Sequence, residues 1–189
     1  AIDYAFTAFE KFAGNIDFIA ASVTHLPLRR GVFDVVTMFE TIEHVEQYER
    51  AISEAAMLLR DQGKIILSTP NKLFSSPGLK NPLNYWHRKE FYSSEIRYLL
   101  SKSFQVVDLV GVASQPPRRM INKSPLYPIL KILDRLPPKA NNVARRFLSS
   151  RLGYMVLDFA CGKTNVRNLW LERNNVELAY CIMAICRRG

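Results

Sequence analysis

The feature that most constrains this chain is the alternation of short apolar runs with amphipathic stretches. The apolar runs, all rich in strand-forming residues, lie at positions 16–22, 33–39, 64–70, 104–112 and 177–186. Nearly continuous apolar runs of this length are typical of strands that are buried on both faces, as in a parallel sheet covered by helices. We therefore expect these five runs to form the sheet of the fold.

Two stretches between these runs have helical periodicity. In residues 45–63 the apolar side chains recur every three or four positions, and Gly63 is placed to end the helix. In residues 93–102 a serine can cap a second helix. Strand, helix, strand, helix, strand is the order of a doubly wound, mostly parallel sheet, so the sequence predicts an α/β fold.

The segment between the last two predicted strands differs from the rest in its charge. Residues 113–153 contain nine Lys or Arg and one acid, Asp134, and therefore carry +8 of the net charge of +9. We expect a core formed by residues 1–112 and 176–189, and a basic, partly helical insert or lid at residues 113–175.

Two amphipathic patterns within the insert leave its role open. Residues 124–136 place Leu126, Ile129, Leu130 and Leu133 on one helical face, and residues 142–154 set basic residues beside apolar ones. Such helices suit a lid over a substrate pocket, or contact with an anionic membrane surface. Nucleic acid is less favoured, because few aromatic residues are interleaved with the basic ones.

Composition is that of a soluble globular protein, with 48% hydrophobic and 23% charged residues. No run approaches the roughly 20 apolar residues that cross a bilayer, and residues 1–12 do not read as a signal peptide. The three cysteines lack metal-ligand spacing, and an odd count favours reduced thiols. We therefore expect a cytoplasmic protein, with peripheral membrane contact through the insert as an option.

Polar side chains follow the ends of several predicted strands. In open α/β sheets, ligands bind beyond the carboxyl ends of the strands. The end of the predicted strand at residues 33–39, in FDVVTMFETIEHV, carries Glu40, Glu43 and His44. If a helix starts near Glu40, these three side chains share one face, because positions i, i+3 and i+4 are neighbours on a helix.

Five segments, in order, resemble class I S-adenosylmethionine-dependent methyltransferases. They are AIDYA, IDFIAASVTHLPL, FDVVTMFETIEHV, AISEAAMLLRDQGKIILSTPN and HRKEFYSSEIRYLLSKSFQVVDLVGV. The resemblance implies a Rossmann-like methyltransferase sheet with an antiparallel last strand, and S-adenosylmethionine as cofactor.

The same resemblance implies which residues face that cofactor. Asp3 would hold the ribose hydroxyls, with Tyr4 beside it. Ser22 and Val23 would face adenine, although the family usually has an acid where this chain has Ser22. Met38 and Phe39 would line the walls of the cofactor pocket.

One expected part of the family pattern is missing. A glycine-rich loop should precede Asp3, and the sequence begins too late to contain it, so we expect a fragment of a longer chain. An alternative is a circular permutation, in which residues 154–174 form a strand, a turn and a helix, with Gly162 in the cofactor loop.

The ExxEH arrangement, followed by His87, is similar to small-RNA terminal 2′-O-methyltransferases and to the O-methyltransferases of ubiquinone synthesis. The resemblance implies a divalent metal (Mg²⁺, Mn²⁺ or Fe²⁺) held by Glu40, Glu43, His44 and His87. Without a metal, His44 or His87 can act as a general base, with Glu43 beside them. The cluster can also be structural, because a glutamate near a helix N-terminus favours the helix dipole.

The sequence thus predicts a methyltransferase that acts on an oxygen of a small or lipid-like acceptor. The alternatives are a metal-dependent RNA 2′-O-methyltransferase and a non-catalytic module that keeps the fold and binds a partner through its basic insert.

Overall fold

The computed structural model describes residues 16–114, 121–161, 169–173, 176 and 179–189. Asp3, Tyr4 and Gly162 lie outside the described residues. The five strands are β1 (Phe33–Phe39), β2 (Leu59–Pro70), β3 (Gln105–Ser114), β4 (Leu169–Glu172) and β5 (Cys181–Arg187).

These strands form one mixed sheet in the order β1-β2-β5-β3-β4. β1 and β2 are parallel, and β5 is antiparallel to both of its neighbours, β2 and β3. β1, β2 and β3 therefore point the same way, and the last strand lies between two of them in the opposite direction. The predicted α/β fold with an antiparallel last strand is confirmed.

The helices flank the sheet, and three of them lie between β3 and β4 in the sequence. Their bounds are α1 (Tyr48–Leu58), α2 (Lys72–Ser75), α3 (Ser93–Ser101), α4 (Tyr127–Leu133), α5 (Pro138–Leu148) and α6 (Arg151–Cys161). Two short 3-10 helices lie at Ile42–His44 and Ile121–Lys123.

The main core lies between the sheet and the first helices. Ile52 of α1 and Ile96 of α3 pack against Ile65 of β2 and Ile182 of β5, and all four side chains are buried. Alternate residues of β5 point to this core, as expected of a strand whose side chains alternate between faces. The carboxyl ends of β1 and β2 are thereby fixed side by side.

The prediction of a strand at residues 16–22 was wrong. Among the described residues of that run, only Ser22 forms a bridge, with His25 across a tight turn. Ile16 and Ile19 are 54% and 49% exposed. An apolar run becomes a strand only beside a partner strand that satisfies its backbone groups, and β1 to β5 form ladders with one another and not with this run.

The prediction that Gly63 ends the first helix was also wrong. The helix ends at Leu58, and Gly63 lies within β2. A β-bulge separates the pair Phe33–Leu59 from the pair Val35–Lys64, and Gln62 adopts a φ of 64°. At Gly63 a Cβ atom would lie 2.8 Å from the carbonyl oxygen of Arg60. The glycine thus serves a close backbone approach within the strand.

The insert forms a second apolar cluster of its own. Leu130 of α4 and Leu157 of α6 pack with Leu79 and Leu83, which lie in the loop after α2. The predicted strand at the start of residues 154–174 is instead helical, because α6 extends to Cys161. The prediction that Ile129 and Leu130 share one face of α4 was wrong, because Ile129 is 59% exposed while Leu130 is buried.

Within the described parts of the chain, none of the helices combines the length and the apolar character that crossing a bilayer requires.

Candidate active site

The turn after β1 places the acidic and imidazole groups of the predicted site. β1 ends at Phe39, Glu40 adopts a φ of 45°, and a 3-10 helix follows at Ile42–His44. Because Glu40 has left-handed backbone geometry, it lies outside the helical turn. The expectation that Glu40, Glu43 and His44 share one helical face is therefore wrong for Glu40.

Glu40 is directed across the sheet. Its Oε1 accepts hydrogen bonds from the Ser68 hydroxyl (2.7 Å) and the Cys181 thiol (3.3 Å). Burial raises the pKa of the Cys181 thiol, and the adjacent Glu40 carboxylate raises it further. This cysteine is therefore a buried hydrogen-bond donor that links β5 to the end of β1.

Glu43 is the buried acid of the site, with 0% of its surface exposed. Thr69 at the end of β2 donates a hydrogen bond to its Oε2 (3.1 Å), while Oε1 has no hydrogen-bond partner among the described residues. Burial raises the pKa of Glu43 above its ordinary value, and the charge of Glu40 adds to this. Hydrogen bonds to the backbone and to Thr69 oppose the shift.

The loop that carries His87 is tied to the same turn. The carbonyl oxygen of Glu43 accepts hydrogen bonds from the backbone N–H groups of Arg88 (2.7 Å) and Lys89 (3.2 Å). His44 Nδ1 lies 3.0 Å from the carbonyl oxygen of Trp86. Three hydrogen bonds thus hold this loop against the end of β1.

His44 and His87 lie in contact, with ring centroids 4.9 Å apart and ring planes at 80°. His87 Nδ1 lies 2.7 Å from Glu90 Oε1. Since a carbonyl and a carboxylate only accept hydrogen bonds, Nδ1 carries the proton on both rings. In the neutral rings, Nε2 therefore holds the lone pair, and the Asn84 amide donates to that of His87 (2.9 Å).

Glu90 is a site residue that the sequence analysis missed. Its side chain is buried; Oε2 accepts hydrogen bonds from the Ser75 and Ser76 hydroxyls, and Oε1 faces His87. The available signal was the spacing HRKE, in which a carboxylate three residues after His87 can reach its ring. Its role resembles that of a carboxylate that orients a catalytic imidazole.

The insert holds the His87 loop from the other side. Arg145 of α5 donates from Nε to the carbonyl oxygen of Pro82 (2.6 Å), and from Nη2 to those of Asn84 (3.1 Å) and His87 (3.4 Å). Ser149 accepts a hydrogen bond from the backbone of Tyr85 (2.7 Å). The insert is therefore part of the framework that fixes His87.

Two depressions lie beside the histidine pair. One, of about 370 Å³, is lined by His44 together with Ser22 and Val23. The other, of about 330 Å³, is lined by His87, Trp86 and Arg145. Arg88 lines both. A cofactor and an acceptor in the two depressions would meet near the imidazole rings.

Several known proteins are similar to this chain over part of its length. Residues 2–67 match the family model described as a methyltransferase domain. A "Probable S-adenosylmethionine-dependent methyltransferase" of Mycolicibacterium smegmatis is 37% identical over 99 residues, which cover 52% of this chain and 38% of that protein. The "Ubiquinone biosynthesis O-methyltransferase" of Bartonella bacilliformis is 27% identical over 122 residues, covering 58% of this chain and 49% of that protein. The chain thus spans less than half the length of each relative.

A solved structure has the same fold. It is the "SAM-dependent methyltransferase, possible histamine N-methyltransferase" of Thermotoga maritima, with a TM-score of 0.56 and 15% identity, and the match covers 89% of this chain and 62% of that one. The chain has the fold of that methyltransferase, and its sequence is similar to S-adenosylmethionine-dependent methyltransferases over part of its length.

Within the methyltransferase fold, the predicted cofactor residues occupy different settings. Ser22 is exposed and Val23 half-buried beside His44, as an adenine wall requires. Phe39 is 53% exposed at the end of β1, whereas Met38 is 5% exposed and belongs to the main core. The cofactor contacts of all four residues stay predictions.

The residues of the candidate site fit a metal in part. One ligand atom each of Glu43, His44 and His87 lies within 4.8 Å of the others. Glu43 Oε1 has no hydrogen-bond partner among the described residues, and both Nδ1 atoms are held by acceptors, as is usual for metal-binding histidines. Glu40 does not join this group, because Ser68 and Cys181 occupy its Oε1.

Proposed function

We propose that this protein transfers a methyl group from S-adenosylmethionine to a hydroxyl oxygen of a small or lipid-like acceptor, with His87 as general base. The observation that carries the proposal is the Glu90–His87 pair, in which a buried carboxylate holds Nδ1 of an imidazole that lines the depression and Nε2 carries the lone pair. An imidazole so held is oriented to accept a proton from an acceptor hydroxyl.

The reaction balances with these groups. The acceptor hydroxyl takes the place of the Asn84 amide at His87 Nε2 and gives its proton to that nitrogen. Its oxygen attacks the sulfonium methyl in line, so that an O–C bond forms, the S–C bond breaks and S-adenosylhomocysteine leaves. The Glu90 carboxylate stabilises the imidazolium that results. His44, in edge-on contact with His87, keeps that ring in place.

One of the relatives supports oxygen as the accepting atom. The Bartonella protein is by name an O-methyltransferase, and its match with this chain includes 58% of the residues. The depression beside His87 also has room for a small acceptor, at about 330 Å³.

A second candidate, metal-assisted transfer, is favoured by one observation. The buried Glu43 Oε1 has no hydrogen-bond partner among the described residues, and His44 Nε2 lies 3.9 Å from it. Glu43, His44 and His87 would hold a divalent ion, with carboxylate and imidazole as donors. Such an ion supplies Lewis acidity, which lowers the pKa of a bound hydroxyl.

The deciding experiment compares His87→Gln with His25→Gln. His25 is exposed and contacts Arg50 in the turn that also carries Ser22, so its variant controls for loss of an imidazole outside the pair, with S-adenosylhomocysteine affinity measured alongside. The readout is release of S-adenosylhomocysteine with a panel of phenols and prenylated phenols. Loss of a general base lowers kcat by about 10²–10⁴-fold. Unchanged turnover in His87→Gln would exclude this role.

Chelation separates the two candidates. The general-base mechanism predicts that a chelator leaves turnover unchanged. Loss of turnover that Mn²⁺ restores in the natural protein, but not in Glu43→Gln, would favour the metal.

A further inference from the structure

The insert exposes an unusual number of large apolar side chains. We call this group the insert surface; its members are Ile129, Ile132, Val143, Phe147, Leu152, Met155 and Val156. Their exposed fractions run from 39% to 71%. Scattered exposed apolar residues are normal, but a concentration of them on neighbouring elements marks an interaction site.

The spacing of these residues shows that each helix has two apolar faces. On α4, Ile129 and Ile132 are three positions apart and exposed, while Leu130 is buried. On α5, Val143 and Phe147 are four positions apart and exposed. Because residues three or four apart share a helical face, each pair forms a stripe directed away from the buried cluster.

α6 also has an exposed apolar stripe and a buried apolar residue. Leu152, Met155 and Val156 form its exposed stripe, whereas Leu157 packs in the cluster with Leu79 and Leu83. α4 and α6 thus already pack in the buried cluster through other residues, and α5 is held to the His87 loop through Arg145. The outward stripes are not needed to hold the insert to the rest of the chain.

The exposed charged side chains around these stripes are positive. Between residues 121 and 157 of the described insert, the exposed cations are Lys123, Lys131, Arg135, Lys139, Arg146 and Arg151. The single acid between residues 121 and 157 is Asp134, and its carboxylate accepts hydrogen bonds from the backbone N–H groups of Lys80 and Asn81. Asp134 is thereby directed at the loop after α2, and the outward side keeps its positive charge.

We propose that the insert surface docks on an anionic lipid bilayer, with the apolar stripes entering the interface and the cations facing lipid phosphates. An amphipathic element with basic and apolar side chains together is what interfacial binding requires. The long stems of Lys and Arg reach the headgroups while their apolar neighbours lie deeper. This proposal does not depend on the chemistry of the site, because it concerns binding alone.

The position of the surface connects it to the acceptor pocket. On α5, Arg145 binds the His87 loop, and the next two residues, Arg146 and Phe147, belong to the outward side. A docked insert would therefore place the depression beside His87 close to the membrane, from which a lipid-like acceptor can enter.

The test is co-sedimentation of the purified protein with vesicles of phosphatidylcholine, and with vesicles of equimolar phosphatidylcholine and phosphatidylglycerol. We expect binding to the anionic vesicles, weakened by salt, and little binding to the neutral ones. Arg146→Gln is expected to weaken binding about fivefold, the factor that corresponds to ~1 kcal/mol per basic residue at an anionic surface. Phe147→Ser is expected to weaken it about tenfold, through lost apolar burial.

Arg97 and Tyr98 provide the matched control, because they form a second exposed pair of an arginine and an aromatic residue, on α3. Arg97→Gln and Tyr98→Ser should leave vesicle binding unchanged. Absence of binding to both vesicles, or equal weakening by the control variants, would overturn the proposal.

Two further results would reassign the insert surface. Tighter binding to an RNA oligonucleotide than to anionic vesicles, lost in Arg146→Gln, would make nucleic acid its partner. A concentration-dependent dimer in light scattering, absent in Phe147→Ser, would make it an interface between two copies of the chain. Either result would overturn docking on lipid.

Discussion

His44 contacts His87 edge-to-face, with the ring centroids 4.9 Å apart, although the two residues come from different elements. His44 ends the turn after β1, and His87 lies in the loop between α2 and α3. Each ring is held at Nδ1 by an oxygen that only accepts hydrogen bonds, from Trp86 and Glu90 respectively. The pair therefore presents defined nitrogen atoms where the two depressions meet.

Glu90→Gln tests whether the buried carboxylate acts through His87. The amide keeps the size of the side chain but removes the charge that stabilises a protonated imidazole, so we expect kcat to fall about a hundredfold or more. The acid limb of the rate profile should move to lower pH. Binding of S-adenosylhomocysteine, followed by calorimetry, should not change.

The control for that variant is Glu54→Gln on α1, a residue that lines neither depression. A Glu90→Gln protein with an unaltered rate profile would show that Glu90 only supports the loop.

Glu43→Gln tests the burial of this carboxyl group in metal-free protein. Because burial raises the pKa of Glu43, its contribution to stability is full below the unfolded value and is lost as pH rises through the raised folded value. The variant does not ionise. Its free energy of unfolding should therefore improve relative to the natural protein as pH rises from about 4.5. Urea titrations across pH, with a chelator present, measure this difference.

Glu49 serves as a comparison, because its pKa is shifted in the direction opposite to that of Glu43. Its hydrogen bond with Lys102 lowers the pKa of this exposed carboxyl group, so its contribution is present above the unfolded value and is lost as pH falls. Glu49→Gln should be slightly less stable than the natural protein at neutral pH, with a difference that shrinks on acidification. The same pH trend in both variants would contradict the burial argument.

Arg145→Met tests whether the insert positions His87. The change removes three hydrogen bonds to loop carbonyls while keeping the apolar stem, and misplacement of a catalytic group by about an ångström costs about a hundredfold in rate. We expect kcat to fall while affinity for S-adenosylhomocysteine is kept. Turnover of a water-soluble phenol is the measurement.

Arg146→Met, one residue further along α5 and exposed, should leave turnover of that soluble acceptor unchanged. Equal losses in the two variants would mean that the effect comes from charge and not from the hold on the loop.

Sequence reasoning recovered the elements that depend on local pattern. FDVVTMF forms β1 because a β-branched, apolar run lies beside β2, and Ser93–Ser101 is helical as its spacing predicts. Glu43, His44 and His87 come together because the end of a strand and the following loop meet at one edge of a sheet. Their roles stay predictions.

The failures share a physical cause, which is tertiary context. The run at 16–22 is apolar, but among the described residues it has no neighbouring strand, and Gly63 serves a close approach inside β2. Glu40 lies off the predicted helical face because its φ is positive. The periodicity of a sequence does not reveal such a backbone angle. Arg145 looked like part of a basic surface, and only the fold shows that it binds the His87 loop.

The central claim is most directly tested by calorimetric titration of S-adenosylhomocysteine into the protein and into the chain extended upstream. The account predicts saturable binding of one molecule per chain, in the micromolar to millimolar range usual for enzyme ligands, by at least the extended form. Binding should be retained in His87→Gln, because that residue faces the acceptor side. Absence of binding by both forms would contradict the assignment of this site to methyl transfer.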